Sequence, residues 1–385
     1  MLARSSTQKK LCGNISKAGG ELSPVSIIIA IFIFSFIIFF HELGHFLLAK
    51  ANHIKVIEFS MGMGPRIVSF THGLTRYSWK VLPFGGSCQM AGEFSGMEGA
   101  YEEEEEKIEF LPGEGTFNSK NVWQRMSVVA AGPVFNFILA FLLSAILIAM
   151  VGIDKPVVSS VSEGGGAQQA GMQAGDVITE IDGKHIHLYS DIVNYISFHQ
   201  QKMSSGGSLE VSWIHDGEKK TALVTPEDNG QGKYVLGIRG GKNYKVGFSE
   251  LIKYSYYEVG YWITTTWNSL GMLFSGGVTL DDMAGPVGVV SAIGETYEES
   301  RQDGAFYVLA NMLNIGILLT ANLGVMNLLP FPALDGGRIV FLLIEAVTRR
   351  KMKPEIEGRI NLAGLMFLMM LMFIIMFHDI YRIIK

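Results

Sequence analysis

Residues 24–48 read PVSIIIAIFIFSFIIFFHELGHFLL, an apolar stretch that ends in two histidines and a glutamate. Residues 24–40 carry no charge, and about 20 apolar residues carry a helix across the ~30 Å hydrocarbon core of a bilayer. Basic residues precede the stretch, as in a signal peptide. However, the apolar run is longer than a typical h-region, and no A-x-A-like cleavage site follows it. The stretch therefore predicts a retained membrane helix.

The composition extends this prediction to the rest of the chain. Of its 385 residues, 48% are hydrophobic and 17% are charged, whereas an ordinary soluble domain has about 25% charged residues. Three further uncharged runs cover residues 126–153, 304–334 and 360–377. Buried core helices are the alternative for the two shorter of the four runs. The predicted fold class is a multi-pass α-helical membrane protein with transmembrane helices at about 24–48, 127–152, 305–330 and 360–382.

Net charge and cysteine content exclude two other classes of protein. The formal net charge of −5 gives no electrostatic footprint for nucleic acid. The two cysteines, Cys12 and Cys88, are too few for a disulfide framework or a cysteine-based zinc cluster.

Loop charge predicts the orientation of the four helices. Cytoplasmic loops of membrane proteins carry an excess of Lys and Arg, and basic residues concentrate between the third and fourth apolar runs. We therefore expect this segment and the loop after the first helix to be cytoplasmic. Residues 154–303 and both termini are then extracytoplasmic. The basic residues are Arg338, Arg349, Arg350, Lys351, Lys353 and Arg359.

The loop after the first helix holds two contrasting patterns. Residues 54–70 and 74–90 alternate around Thr71-His72-Gly73, which predicts a β-hairpin over 54–90. Its apolarity suggests that the hairpin approaches the membrane. Five consecutive acids, Glu102–Glu106, are typical of a solvated segment.

The segment after the second helix is predicted to contain a separate domain. Residues 154–245 carry turn signals, short strand patterns around 209–214 and 223–225, and one helical pattern over 189–201, which together predict a compact β-rich domain. Residues 246–303 begin with an aromatic, weakly charged stretch that predicts an amphipathic helix at the membrane surface, followed by a linker. Residues 1–23 are expected to form a disordered tail.

The end of the first apolar run carries an H-E-x-x-H pattern, His41-Glu42-Leu43-Gly44-His45. On a helix, both histidines project from one face and can bind one Zn²⁺, while the glutamate between them activates water. Ionisable side chains at membrane depth are costly and point to a functional site by default. The alternative is a helix end whose polar residues meet interfacial water.

A catalytic zinc needs a third protein ligand, and Asp335 is the candidate. It closes the third apolar run within Asn327-Leu-Leu-Pro330-Phe-Pro332-Ala-Leu-Asp335-Gly-Gly. Two prolines separated by one residue cannot continue a helix, so the chain is predicted to unwind there. Irregular backbone at membrane depth is tolerated only inside protein or along a wet cavity. A helix cap with an incidental aspartate is the alternative.

These two motifs together resemble the site-2 protease family of intramembrane zinc metalloproteases, in its bacterial RseP-like branch. Gly132-Pro133-x-x-Asn136 is similar to a third family motif. Gly171-x-x-x-Gly175-Asp176-x-Ile178 resembles the PDZ domain that these proteases carry on the outer side. Many RseP-like members have two PDZ domains, whereas residues 154–245 accommodate one.

The resemblance implies a cofactor, a set of substrates and a location. One Zn²⁺ per chain is held by His41, His45 and Asp335, with Glu42 as the catalytic base. The substrates are transmembrane segments of single-span membrane proteins, such as anti-sigma factors or remnant signal peptides, some already trimmed by another protease. Regulated intramembrane proteolysis of this kind places the chain in the cytoplasmic membrane of a bacterium. Substrate binding is assigned to Asn136, Asn327, Pro330 and Pro332.

Three questions stay open at the level of sequence. The PDZ-like domain can bind an exposed C-terminus or act as a size filter, and we favour the filter. A membrane adaptor with a non-catalytic metal site is the main alternative to a protease. A metal transporter is a third, although it would need more intramembrane acids or histidines than the one visible ligand cluster.

Overall fold

The structure is a computed structural model that describes residues 24–93, 115–230, 232–276 and 284–384. The predicted N-terminal tail with Cys12, the Glu102–Glu106 run and part of the predicted linker lie outside these residues. The chain divides into two compact units, each described by itself. Residues 24–140, 284–299 and 315–384 belong to the first unit, and residues 141–276 and 300–314 belong to the second.

Four of the helices in the described part of the chain contain segments long and apolar enough to cross a membrane: Pro24–Ala51, Val122–Val151, Ala305–Asn327 and Glu355–Arg382. They coincide with the four uncharged runs of the sequence. In chain order the helices are α1 (Pro24–Ala51), α2 (Val122–Val151), α3 (Gly166–Gln169), α4 (Tyr189–Phe198), α5 (Gln200–Ser204), α6 (Phe248–Phe274), α7 (Pro286–Asp303), α8 (Ala305–Asn327), α9 (Asp335–Thr348) and α10 (Pro354–Ile384).

A long β-hairpin follows α1 in the first unit. Its strands β1 (Val56–His72) and β2 (Thr75–Met90) pair around a turn at Gly73. β1 changes direction where Gly62 and Gly64 adopt positive φ, so residues 58–61 pair with two segments of β2, 76–79 and 86–89. Among the described residues the second of these segments pairs with no further strand. We call residues 86–90 the edge strand.

A buried carboxylate on β1 contacts basic side chains from both strands of this hairpin. Glu58 accepts a hydrogen bond from Arg66 at 2.9 Å and lies 3.4 Å from Nζ of Lys80. Burial by itself would raise the pKa of the Glu58 carboxyl. Hydrogen bonds from Arg66 and Ser78 and the Lys80 charge outweigh burial and lower this pKa to about 2. The ionised carboxylate is therefore the form that stabilises the hairpin.

This network makes hairpin stability pH-dependent. Because the folded pKa of Glu58 lies below its ordinary value of 4.5, its contribution is complete above pH 4.5 and is lost as pH falls toward 2. Glu58→Gln should lower the thermal unfolding midpoint of the detergent-solubilised protein at pH 7. The difference between wild type and variant should shrink below pH 4.5. A difference independent of pH would contradict this assignment.

Helix α8 ends at Asn327 and the next helix begins at Asp335, as the two prolines between them require. Residues 328–334 form turns, with Ala333 at φ +74°. Gly337 packs so closely against this turn that a Cβ atom there would lie 2.8 Å from the carbonyl carbon of Phe331. The tight turn fixes the first residue of α9, Asp335.

The second unit contains a β-rich insert with its own hydrophobic core, which includes Trp213, Ile178 and Ile192. A four-stranded sheet runs in the order β6 (Lys184–His185), β5 (Val177–Ile181), β7 (Leu209–His215) and β8 (Glu218–Val224), and the remaining short strands form two-stranded pairs. The strands of these pairs are β3 (Ile153–Asp154), β4 (Ser160–Val161), β9 (Glu227–Asp228), β10 (Tyr234–Val235), β11 (Ile238–Arg239) and β12 (Asn243–Tyr244).

The structure differs from the sequence prediction in three places. The helix predicted over 189–201 is divided into α4 and α5 at His199, which lies outside helical geometry at φ −113° and ψ 19°. The predicted linker contains α7. The basic segment predicted as a loop contains α9. Helix α7 is polar and helix α9 is amphipathic, so both lack the uncharged run on which the sequence prediction relied.

Candidate metal centre

Two histidines of α1 and the first residue of α9 converge on one point in the first unit. Nε2 of His41 and Nε2 of His45 are 3.2 Å apart. Oδ2 of Asp335 lies 3.2 Å from the former and 3.5 Å from the latter. Both histidines are buried. The i and i+4 spacing on α1 and the turn before α9 thus bring together residues almost 300 positions apart in the sequence.

The spacing of these three atoms fits a tetrahedral zinc ion. Zinc–ligand bonds of about 2.0–2.1 Å place the ligand atoms of a tetrahedron about 3.3 Å apart, and the three observed distances bracket that value. Oδ2 of Asp335 is buried without a hydrogen-bond partner. A carboxylate oxygen and two imidazole nitrogens gathered in this way fit a shared cation, which His41, His45 and Asp335 would hold.

The second ring nitrogen of each histidine, Nδ1, also contacts a polar group of α2. Nδ1 of His45 donates to the carbonyl oxygen of Val128 at 2.9 Å, which leaves Nε2 free to bind a metal. The side-chain amide of Asn136 lies 3.1 Å from Nδ1 of His41. Oδ1 of Asn136 is buried without a hydrogen-bond partner. With that oxygen turned to the ring, Asn136 would accept the Nδ1–H of His41 and orient it similarly.

Two glycines allow α1 and α2 to approach closely enough to bury the rings. A Cβ atom at Gly44 would lie 2.8 Å from the carbonyl carbon of Ala131. A Cβ atom at Gly132 would lie 2.7 Å from Cε1 of both His41 and His45. The imidazoles therefore pack directly against the α2 backbone.

Gly132→Ala is expected to weaken metal binding by about tenfold or more, because a methyl group must displace both imidazoles. The affinity for Zn²⁺ can be measured by competition with a chelator. Gly358→Ala on α10 is the control, since a Cβ atom there meets nothing within 4 Å. Equal affinities in the two variants would contradict the described packing.

A cavity of about 720 Å³ opens beside the three ligand atoms. Its lining includes Glu42 of α1, the residues of the edge strand, and Asn327. Gly86 of the edge strand runs directly over Glu42, because a Cβ atom there would lie 2.9 Å from Cγ of that glutamate. The cavity thus brings a carboxylate, a metal centre and a strand edge to one place.

The other residues selected from sequence are placed as follows. Nδ2 of Asn327 lies 3.5 Å from Nε2 of His41 and faces the cavity. Asn136 is fully buried against His41. Pro330 and Pro332 are not among the residues that line the cavity. Pro332 instead packs against α10 at Gly364.

Sequence reasoning did not select three residues that line or shape the centre. Arg338 and Glu93 line the cavity and form an ion pair with each other, and Gly132 contacts both imidazoles. The sequence offered one signal, because Gly132 belongs to a motif already noted. Nothing in the sequence could pair Glu93 with Arg338 across more than 200 residues.

An H-E-x-x-H helix with a distant aspartate is typical of zinc-dependent metallopeptidases. The chain matches peptidase family M50 over residues 29–371. It therefore belongs to that family, the site-2 proteases, and is a zinc-dependent metalloendopeptidase.

Two curated relatives match along nearly their whole length. The chain is 32% identical to the zinc metalloprotease RasP of Bacillus licheniformis, over 93% of this chain and 99% of the relative. It is 29% identical to the regulator of sigma-W protease RasP of Bacillus subtilis, with the same coverage. With these relatives and its four apolar helices, the chain is a bacterial membrane protein.

Among the solved structures, PDZ domains are similar to part of the chain. The PDZ domain of an SdrC-like protein from Listeria monocytogenes is 26% identical, with a TM-score of 0.20, and the match covers 26% of this chain and 96% of that domain.

Proposed function

We propose that this protein cleaves transmembrane segments of single-span membrane proteins in regulated intramembrane proteolysis. The observation that carries the proposal is the convergence of His41, His45 and Asp335 at zinc-binding distances next to Glu42. The two histidines and Glu42 lie near the end of the first apolar run, and Asp335 directly follows the third apolar run. Peptide hydrolysis at this position would act on chains that lie within or beside the bilayer.

The chemistry divides between the metal and one carboxylate. Zinc, when bound, supplies a Lewis acid that polarises a peptide carbonyl and acidifies water. Glu42 would accept a proton from the attacking water and deliver it to the leaving amine nitrogen. Asn327, which also lines the cavity, is suited to donate to the substrate backbone and hold it in place. Asn136, by its contact with His41, would orient a ligand rather than touch the substrate.

A transmembrane helix must unwind before its peptide bonds can react, because each carbonyl is sealed in an i→i−4 hydrogen bond. The edge strand offers an alternative partner for the unwound segment. Its outer side pairs with no strand in the described residues, and it lines the cavity beside Glu42. An extended substrate would add to this edge by β-augmentation.

The bilayer is the second proposed partner, with the orientation inferred from loop charge. The outer part of the hairpin exposes large apolar side chains, an arrangement that suits lipid and not water. We propose that this surface contacts the cytoplasmic leaflet, with both termini and the β-rich insert on the opposite side. The exposed residues include Met63, Ile67, Val68, Phe70, Trp79 and Leu82.

A contact within the second unit favours the filter function of the PDZ-like insert. The carbonyls of Gly237 and Arg239 bond to the β4 segment, so the C=O of Ile238 and the N–H of Gly240 face the opposite side. The Tyr189 hydroxyl donates to the Ile238 carbonyl at 3.4 Å and accepts from the Gly240 N–H. The Tyr189 hydroxyl thus occupies the carbonyl and the N–H group with which an added peptide strand would form its hydrogen bonds.

Tyr189→Ala should open this strand edge. We expect full-length wild type to bind a fluorescent peptide with a free apolar C-terminus weakly, and the variant to bind it about tenfold more tightly. Fluorescence anisotropy measures both affinities, and Tyr195→Phe, which keeps Tyr189 in place, is the control. Tight binding by wild type, unchanged in the variant, would instead favour a peptide-binding domain.

A proteomic comparison tests the proposed function. Membranes of cells with intact protein should lack short membrane-embedded fragments that accumulate when Glu42 is replaced by Gln. Identical fragment patterns would favour the adaptor alternative. One tightly bound zinc per chain is expected of the protease, whereas several equivalents would favour a transporter.

A further inference from the structure

Arg338 lies on α9 one turn after Asp335, on the same face of the helix. Its guanidinium group is largely buried, lines the metal-site cavity, and packs over the ring of Phe117 at 5.4 Å. Arg338 is therefore connected to the metal centre through the helix that supplies a ligand, without itself being one.

An ion-pair partner of Arg338, Glu93, lies three residues after the end of the hairpin. Oε1 of Glu93 accepts a hydrogen bond from Nη1 of Arg338, and the Glu93 side chain is only 6% exposed. Oε2 of the same carboxylate accepts from the N–H of Met90 at 3.3 Å. Met90 is the last residue of the edge strand. One carboxylate therefore joins the end of the edge strand to the helix that begins with Asp335.

We infer that the Glu93–Arg338 ion pair is a clamp that sets the position of the edge strand relative to the metal centre. Both residues would act as positioning residues for the substrate segment that the edge strand receives. This inference rests on the proposed function, because the edge strand has a reaction to align only if the chain is a protease. A shift of about 1 Å in alignment is enough to slow a reaction strongly.

The alternative is that the pair only stabilises α9, and the structure offers a matched control for it. Glu345, also on α9, forms a second ion pair with Arg125 on α2. The side chains of this pair are 6% and 14% exposed, compared with 17% and 6% for Arg338 and Glu93. The second pair does not line the cavity. Its disruption removes a buried ion pair from α9 without removing a contact to the edge strand.

The test compares two double variants, Glu93→Gln/Arg338→Gln and Arg125→Gln/Glu345→Gln. Each removes both charges, so neither leaves a lone buried ion. The full-length, zinc-loaded protein is reconstituted with a single-span fusion protein that carries a signal-peptide transmembrane segment as the probe. KM, kcat, zinc per chain and hydrogen exchange of amides 86–93 are measured for each.

We expect the Glu93/Arg338 variant to keep one zinc per chain, to raise KM about tenfold, and to exchange amides 86–93 about tenfold faster. The Arg125/Glu345 variant should change KM and this exchange less than twofold. The single substitutions Glu93→Gln and Arg338→Lys should each reproduce most of the increase in KM, because either one breaks the clamp.

Two results would overturn the clamp. One is an unchanged KM and exchange rate in the Glu93/Arg338 variant, and the other is an equal effect in the control pair. Failure of the proposed function is distinguishable, because wild type itself would then show no zinc-dependent cleavage. The exchange of amides 86–93 would still report on the clamp in that case.

Discussion

Glu42→Gln is expected to lower the rate of peptide cleavage by a factor of about 10²–10⁴ while leaving one zinc bound per chain. Glutamine keeps the shape and hydrogen-bonding oxygen of the side chain but cannot accept a proton. Glu42 lines the cavity but is not one of the three residues whose ligand atoms converge. Its substitution should therefore leave zinc binding intact. The measurement is cleavage of a reconstituted single-span fusion protein at saturating substrate, with zinc determined on the same sample.

The opposite pattern would contradict this assignment. Loss of zinc together with activity would make Glu42 a ligand or a structural residue. Unchanged cleavage would exclude Glu42 as the base. Arg125→Gln/Glu345→Gln, which removes both charges of an ion pair away from the cavity, serves as a control for the loss of a glutamate charge in the first unit.

Asp335→Ala is expected to weaken zinc binding more than about 100-fold and to abolish cleavage with it. Loss of an outer-shell partner alone costs 10–100-fold in metal affinity, and Asp335 contributes an oxygen directly to the cluster. Two histidines would remain, too few for a catalytic site that normally has three protein ligands. Zinc per chain after gel filtration, and its affinity by chelator competition, provide the readouts.

Asp379→Ala is the matched control for a buried aspartate. Asp379 on α10 is 3% exposed and accepts a hydrogen bond from the Gly288 N–H at 2.8 Å. Its loss should lower thermal stability but leave zinc binding intact. If both variants lost zinc to the same extent, a general loss of folding would explain the result, and Asp335 would have no special role.

The sequence was sufficient for the elements that have a local pattern. The four apolar runs mark α1, α2, α8 and α10 because lipid-spanning helices need continuous apolar residues. His41 and His45 are related by the helical repeat, and the prolines at 330 and 332 mark where α8 must end. These features depend on neighbouring residues, so one sequence can reveal them.

The features that sequence could not supply depend on distant contacts. The fold of β1 onto two segments of β2 follows from positive φ at Gly62 and Gly64, which no hydrophobic period predicts. The Glu93–Arg338 pair joins residues 245 positions apart. In the sequence Tyr189 has the pattern of an ordinary helix residue, and its hydrogen bond to the carbonyl of Ile238 in β11 follows only from the fold.

Asn136 illustrates how a motif can select a residue without specifying which group its side chain contacts. The family resemblance assigned it to the substrate, a role that stays a prediction. Its side chain is buried and contacts Nδ1 of His41, a placement that suits a group orienting a ligand. Helix–helix approach at Gly44 and Gly132 creates that contact, and spacing along the chain does not encode it.

The most direct test of the central claim is the position of the cut in a membrane-embedded substrate. The protein and a single-span fusion protein are reconstituted in liposomes, and mass spectrometry identifies the new termini with zinc present and after chelation. We predict new termini inside the apolar segment, produced only with zinc and absent with Glu42→Gln. Cuts confined to the exposed parts of the substrate, or cleavage that persists after chelation, would contradict the account.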